Sequence, residues 1–175
     1  DLPSYTSPAV QDDFRKRIWE ICNNWGSSDD DTEIVKILAP LTENPNAADG
    51  YGETPIYEAV RYGHTEIVKI LAPLTDNPNA PNKNGTTPIL KAARWGHSDI
   101  VKFLASLTDN PNIPNEDGTT PIYWAACFGN TEIVKILAPL TDNQPIAPDD
   151  CNRTPMSDEA FRRHSEIVQI LAPFG

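Results

Sequence analysis

Short apolar blocks recur along this chain, and the distance between them is nearly constant. They begin at Ile34, Ile67, Ile100, Ile133 and Ile167, so the steps are 33, 33, 33 and 34 residues. Inside one block, Ile67, Ile70 and Leu71 fall at positions i, i+3 and i+4, which lie on one face of an α-helix. Self-similarity at a fixed period of this length predicts a stack of small repeats, each unable to bury its apolar face alone.

A second signal, the pair Thr-Pro, keeps the same period and predicts a first helix in each repeat. The pairs are Thr54-Pro55, Thr87-Pro88, Thr120-Pro121 and Thr154-Pro155. Threonine is a favourable N-cap, and proline suits the first helical position, where a missing N–H costs nothing. We expect this helix to run from Pro55 to about Tyr62, because Gly63 can take the left-handed conformation that closes a helix.

The apolar block itself predicts a second helix in each repeat. Thr65 is the expected cap, and the helix is expected to run from Glu66 to about Ala72. Pro73 follows directly. Because proline has no N–H and disfavours helix at the residue before it, the helix is expected to end early or kink there. Ser106 takes the place of this proline in one repeat, so the proline is not obligatory.

These repeats resemble the ankyrin repeats. The shared features are a Gly-x-Thr-Pro opening before a hydrophobic residue, an Ala-Ala pair in the first helix, a Gly-His turn and a Glu-Ile-Val-Lys start to the second helix. An asparagine closes each connection, at Asn46, Asn79 and Asn112. The resemblance covers about Phe14 to Phe174, which is nearly the whole chain.

The resemblance implies an all-α ankyrin-repeat solenoid of stacked helix-turn-helix repeats joined by β-hairpin-like loops. In this family the concave side, made of loop tips and first helices, usually holds other proteins. The chain departs from the family pattern two residues after the proline, where Tyr57, Leu90 and Tyr123 stand in place of a histidine. The resemblance therefore does not carry over the hydrogen bond that this histidine makes to the loop.

The predicted domain organisation is a short tail followed by one repeat domain. Residues 1–12 are expected to form an N-terminal tail, and residues 13–175 a single ankyrin-repeat domain. Its approximate repeats are 13–48, 49–81, 82–114, 115–148 and 149–175. The first and last are irregular and polar, as the ends of an open stack must be to stay in solution.

Composition and charge exclude several classes of function. The net charge is −11, and the 14 basic residues are scattered or paired with acids, which argues against nucleic acid as a partner. No apolar run reaches the roughly 18 residues of a membrane span. Catalytic motifs are absent, so the expected protein is not an enzyme and needs no cofactor or metal.

The negative net charge favours a protein or peptide partner of basic or mixed charge. The chain itself is expected to be a monomer. Cys22, Cys127 and Cys151 are odd in number and lack a regular spacing. This argues against a disulfide framework and predicts an intracellular location, in the cytoplasm or the nucleus.

The candidate binding residues are those that differ between repeats. Seven, six and three residues after each proline, the first helices vary in size and charge, and aromatic and arginine residues are frequent there. Such residues are common at interface hot spots. With the loop tips, the candidates are Tyr51, Glu58, Arg61, Tyr62, Lys83, Lys91, Arg94, Trp95, Trp124, Cys127, Phe128, Asp158, Phe161 and Arg162.

The expected centre of this surface is the group Trp95, Trp124 and Phe128, called the aromatic cluster below. One alternative is that these rings only cover the gap between neighbouring repeats. A second alternative, at the level of the whole chain, is a structural spacer or an engineered consensus scaffold without a native partner, since near-identical repeats suit that origin equally well.

Overall fold

The computed structural model describes residues 6–141, 149, 151, 154 and 164–174. Within these ranges the chain is helical and no strand is assigned, so the fold class is all-α. The α-helices are α1 Pro8–Cys22, α2 Asp29–Leu38, α3 Pro55–Tyr62, α4 Thr65–Leu71, α5 Pro88–Trp95, α6 Ser98–Ala105, α7 Pro121–Cys127, α8 Thr131–Leu137 and α9 Ser165–Leu171.

The described residues form two compact units. Unit 1 comprises the residues up to Pro78, and unit 2 those from Asn79 onward. In unit 1, α1 packs on α2 and α3, while α4 packs on α2 and α3. In unit 2, α5 and α7 pack side by side, and α8 contacts α6, α7 and α9. The first isoleucine and the last leucine of the blocks at Ile67, Ile100 and Ile133 are buried, as the helical periodicity predicts. Ile70 and Ile136, inside these blocks, are partly exposed, and Ile37 in α2 is 61% exposed.

The first helix of each regular repeat starts as the sequence predicts. The hydroxyl of Thr54 accepts a hydrogen bond from the backbone N–H of Tyr57, and Pro55 occupies the first turn. Gly63 has a φ of 78° and closes α3 in the left-handed conformation. Thr87 and Thr120 cap α5 and α7 in the same way.

The second helix starts one residue earlier than predicted, and the prediction that Thr65 caps it is wrong. His64 is the N-cap residue, and its side chain makes no capping bond. The backbone N–H of Thr65 donates to the carbonyl of Gly63, and His64 has φ −76° and ψ 70°, which together define an inverse γ-turn. This turn draws Thr65 into the first helical position.

The second helix ends early, as the proline predicts. The α-helix α4 stops at Leu71, and a 3₁₀ turn covers Ala72–Leu74. In the repeat with serine at this place, α6 continues to Ala105, the counterpart of Ala72. The Ser106 hydroxyl donates to the carbonyl of Phe103 at 2.6 Å.

Replacing the proline should therefore lengthen the helix at little cost. We expect Pro73→Ser to extend α4 to Ala72 and to change the free energy of unfolding by no more than about 1 kcal/mol. Backbone chemical shifts of Ala72 report the helix, and urea unfolding reports stability. Ser106→Pro is the reciprocal control and should shorten α6. Loss of folding in Pro73→Ser would show that the repeat requires the proline.

The connections between repeats are tight hairpin-like turns built on one side chain. In the second such turn, the N–H of Asn82 donates to the carbonyl of Thr86, and the Asn82 side-chain oxygen accepts from the N–H groups of Asn84 and Thr86. Gly85 has a φ of 71° at its tip. Asp49 and Asn115 organise the corresponding turns.

A second asparagine in each connection joins the loop to the next helix. The side-chain oxygen of Asn46 accepts from the backbone N–H of Ile56 at 2.9 Å, and Asn79 and Asn112 accept from Ile89 and Ile122 at 3.0 Å. All three asparagines are buried. These bonds satisfy a first-turn N–H that has no partner within its helix.

Because this N–H is buried, losing its acceptor should be costly. We expect Asn112→Ala to lower the free energy of unfolding by about 1–3 kcal/mol, the cost of an unsatisfied buried donor. Urea denaturation measures it. The matched control is Asn84→Ala, since the Asn84 side chain is exposed. Equal stability of the two variants would show that the hydrogen bond from Ile122 to Asn112 does not stabilise the fold.

The N-terminal part is helical from Pro8 onward, because the Ser7 hydroxyl caps α1. The acidic run Asp29–Asp31 forms the first turn of α2, where Ser28 and Asp31 make a capping box. Carboxylates in this position are favoured by the helix dipole. The division into a tail up to residue 12 and one domain from residue 13 stays a prediction.

Candidate functional site

The aromatic cluster of unit 2 combines one fixed ring with two exposed ones. Trp124 and Phe128 lie one turn apart on and just after α7, and their rings stack at 5.7 Å between centroids. Trp95, the last residue of α5, is 56% exposed, and Phe128 is 54% exposed. Trp124 is only partly exposed. Trp95 at the end of α5 and Phe128 just after α7 thus each leave a large aromatic face open to solvent.

Trp124 is held in place by contacts on several sides. Its indole N–H donates to the Thr119 hydroxyl at 3.2 Å, and the Thr119 hydroxyl donates to Asn115. The Arg94 guanidinium lies over the Trp124 ring at 4.6 Å from the centroid. Tyr123 meets it edge-on at 5.5 Å. The ring therefore has little freedom and supports its neighbours.

A surface cavity of about 350 Å³ lies against this cluster. It is lined by Arg94, Trp95, Phe128 and Asn130. The Asn130 amide donates to the carbonyl of Ala93 at 2.8 Å, which orients its side chain. The cavity thus has aromatic walls, one cation and one polar amide, a combination that suits a side chain with both apolar and polar parts.

Sequence reasoning missed Asn130 as a cavity residue. It occupies the place that His64 and His97 hold after the turn glycine. His64 uses this place differently: its ring nitrogens lie 2.7 Å from the carbonyl of Asn24 and 2.9 Å from the Ser27 hydroxyl. The change from histidine to asparagine within an otherwise repeated turn was the available signal.

In unit 1 the corresponding residues form a smaller group. The Arg61 guanidinium lies 5.4 Å from the Tyr62 ring centroid, and Tyr62 stacks on His64 at 6.1 Å. Tyr51, at a loop tip, is 73% exposed. Glu58 is only 3% exposed and lies 3.5 Å from Arg61, so a partner cannot reach it without rearrangement.

The remaining predicted site residues are placed as follows. Lys83 is exposed at a loop tip, and Lys91 on α5 is partly exposed. Cys127 is partly exposed at the end of α7. Asp158, Phe161 and Arg162 lie outside the described residues, and so no position is given for them.

None of the three cysteines, all of which lie in the described part of the chain, forms a disulfide bond. Burial, and secondarily the negative charge of Glu58, raise the pKa of the Cys22 thiol to about 12. A thiol with this pKa is protonated at neutral pH and is a poor nucleophile. Cys22 is thus a packing residue between α1 and its neighbours.

Two properties of the described ranges bear on other functions. None of the helices there is long and apolar enough to cross a membrane. The same ranges contain no group of three or more His, Cys, Asp or Glu residues placed to hold a metal ion.

The repeat architecture and its caps define a class of protein. The family model for ankyrin repeats, which comprises three copies, matches residues 24–115 and 106–175. The chain therefore belongs to the ankyrin repeat family. Ankyrin repeats are generally protein–protein interaction modules and are typically not enzymes. A comparison with curated proteins found no match.

Proposed function

We propose that the chain is a non-enzymatic protein-binding module and that unit 2 holds a protein or peptide segment at the aromatic cluster. The observation that carries this proposal is the pair Trp95 and Phe128, both more than half exposed beside one cavity. Leaving two such rings in water forfeits the burial free energy of a large apolar area. A bound segment recovers it.

The rigid surroundings of these rings support the same proposal. Binding costs free energy whenever interface side chains lose rotamer freedom. Trp124 is already held by its hydrogen bond to Thr119 and by the Arg94 contact, so it presents Phe128 on a fixed support. Tryptophan and arginine are also the residue types that dominate measured interface energies.

The proposal extends to surface residues of unit 1 and to the oligomeric state, location and partners of the protein. Tyr51, Arg61 and Tyr62 are further contact residues for a protein partner. We also propose that the chain is monomeric and intracellular, and that nucleic acids and membranes are not its partners. Cysteines without disulfide bonds support the intracellular location, and the acidic composition supports the choice of partner.

Selection of short random peptides tests the proposal directly. Phage-displayed peptides are selected on the immobilised 175-residue chain, and the enriched pool is then tested on two double variants. Trp95→Ala with Phe128→Ala should release most of the pool. Leu74→Ala with Leu107→Ala is the matched control, because both leucines are exposed and lie outside the site. A pool that binds both double variants equally contradicts this binding site, and no enrichment at all favours the spacer alternative.

A further inference from the structure

The first helices α3 and α5 carry an arginine at the same position of the repeat, Arg61 and Arg94. The charge of the residue three positions earlier is reversed between them. In α3, Glu58 precedes Arg61, and their side chains form an ion pair at 3.5 Å. In α5, the equivalent residues are Lys91 and Arg94. Like charges three apart on a helix are unfavourable, so this pair slightly opposes helix formation. The positive charge of Arg61 is compensated within its helix, and Arg94 has no such compensation there.

Arg94 is also positioned for an external anion. The residue is exposed, and the central carbon of its guanidinium lies over the Trp124 ring, 4.6 Å from the centroid, which is a cation–π contact. Within the ranges that the structure describes, no ion pair includes Arg94. A guanidinium carries five N–H donors in its plane, so stacking on a ring leaves its edge able to bind a carboxylate through two parallel bonds.

The first helices of unit 2 carry a charge opposite to that of the whole protein. The first helices of unit 2, α5 and α7, carry Lys91 and Arg94 and no acidic residue. The other acidic residues in the described part of unit 2 are Asp99, Glu132 and Glu166 on helices and Asp109, Glu116, Asp117 and Asp149 in loops. Exposed charges are largely screened beyond about 8 Å at physiological salt, so the groups beside the cavity decide which ligand charge is accepted.

We propose that the segment bound by unit 2 carries an aspartate or glutamate side chain next to an apolar side chain. The carboxylate pairs with Arg94, and the apolar side chain enters the cavity between Trp95 and Phe128. This inference rests on the proposed function and adds the chemistry of the ligand. The partner as a whole can still be of basic or mixed charge, as the net charge of −11 favours, because only the inserted motif is specified.

The first test is the composition of the peptides selected on the chain. We expect the enriched sequences to carry an aspartate or glutamate adjacent to an aromatic or aliphatic residue. The dissociation constant of a synthetic, fluorescein-labelled member is then measured by anisotropy. Its Asp→Asn counterpart, or Glu→Gln where the acid is glutamate, is measured beside it as the neutral probe.

The second test pairs each peptide with two charge-removing variants. Arg94→Gln should weaken binding of the acidic peptide about tenfold, as expected for a hydrogen-bonded charge pair. It should weaken binding of the neutral peptide clearly less, because only the contact of Arg94 with Trp124 and the cavity wall is lost there. Lys102→Gln, on the exposed side of α6, is the matched control and should change either affinity less than about twofold. Urea unfolding confirms that both variants fold.

Different outcomes overturn the two proposals. Peptides that depend on Trp95 and Phe128 but lack acidic residues, or that bind Arg94→Gln normally, overturn the carboxylate inference and leave the binding surface in place. Acidic peptides that bind equally well to the Trp95→Ala, Phe128→Ala double variant overturn the proposed function and, with it, the inference.

Discussion

Removal of residues 80–112 is expected to leave a folded, helical protein that unfolds at a lower urea concentration. Asn79 and Asn112 make equivalent hydrogen bonds, since the side-chain oxygen of each accepts from the backbone N–H of an isoleucine ten residues later. After the deletion, Ile122 stands ten residues beyond Asn79. The hydrogen bond, the Thr120 cap and Pro121 are then all in register.

The expected loss of stability follows from the number of residues removed. Folded domains gain about 0.05–0.15 kcal/mol per residue, so a repeat of this length contributes about 2–5 kcal/mol. Repeats interact with their neighbours alone, which is why the rest of the stack survives the loss of one. Circular dichroism and urea titration measure helix content and stability together.

A shorter deletion provides the control. Removing residues 80–99 takes out 20 residues and places Asp109 ten residues beyond Asn79, without a Thr-Pro cap. The apolar face of the truncated repeat then has no matching neighbour, and we expect no cooperative unfolding transition. If both deletions were tolerated equally, the 33-residue repeat would not be the structural unit of this protein.

Trp95→Ala and Phe128→Ala are each expected to weaken peptide binding by about 2 kcal/mol, which is about 30-fold in Kd. Both rings are more than half exposed, so their removal should lower the free energy of unfolding by less than about 1 kcal/mol. Anisotropy with a selected peptide and urea unfolding of the same samples give the two quantities. Leu107→Ala is the control and should change binding by less than about 0.5 kcal/mol.

Trp124→Ala should behave differently, because this ring is part of the support. Its removal takes away a hydrogen bond to Thr119 and ring contacts with Arg94 and Phe128. We expect stability to fall by about 2 kcal/mol, below the range for a fully buried tryptophan. Should Trp95→Ala destabilise the protein as strongly and bind normally when folded, the exposed rings would be packing residues.

The pattern along the sequence determined the repeat and most of its local structure. Caps such as Thr54, the closing Gly63 and the early end of α4 before Pro73 depend on residues only a few positions apart. Local spacing therefore carries this information. The start of the second helix was predicted wrongly because an inverse γ-turn at His64 competes with capping by Thr65.

The tertiary structure decided which of the candidate residues are available. Trp95 and Trp124 were both candidate binding residues from the sequence. Trp95 is exposed, whereas Trp124 is held under Arg94, a residue 30 positions away. Glu58 was expected at the surface and is buried beside Cys22 instead. Exposure and partner choice depend on packing between helices of different repeats, and a periodic pattern places these helices in register without specifying how each side chain fills the space.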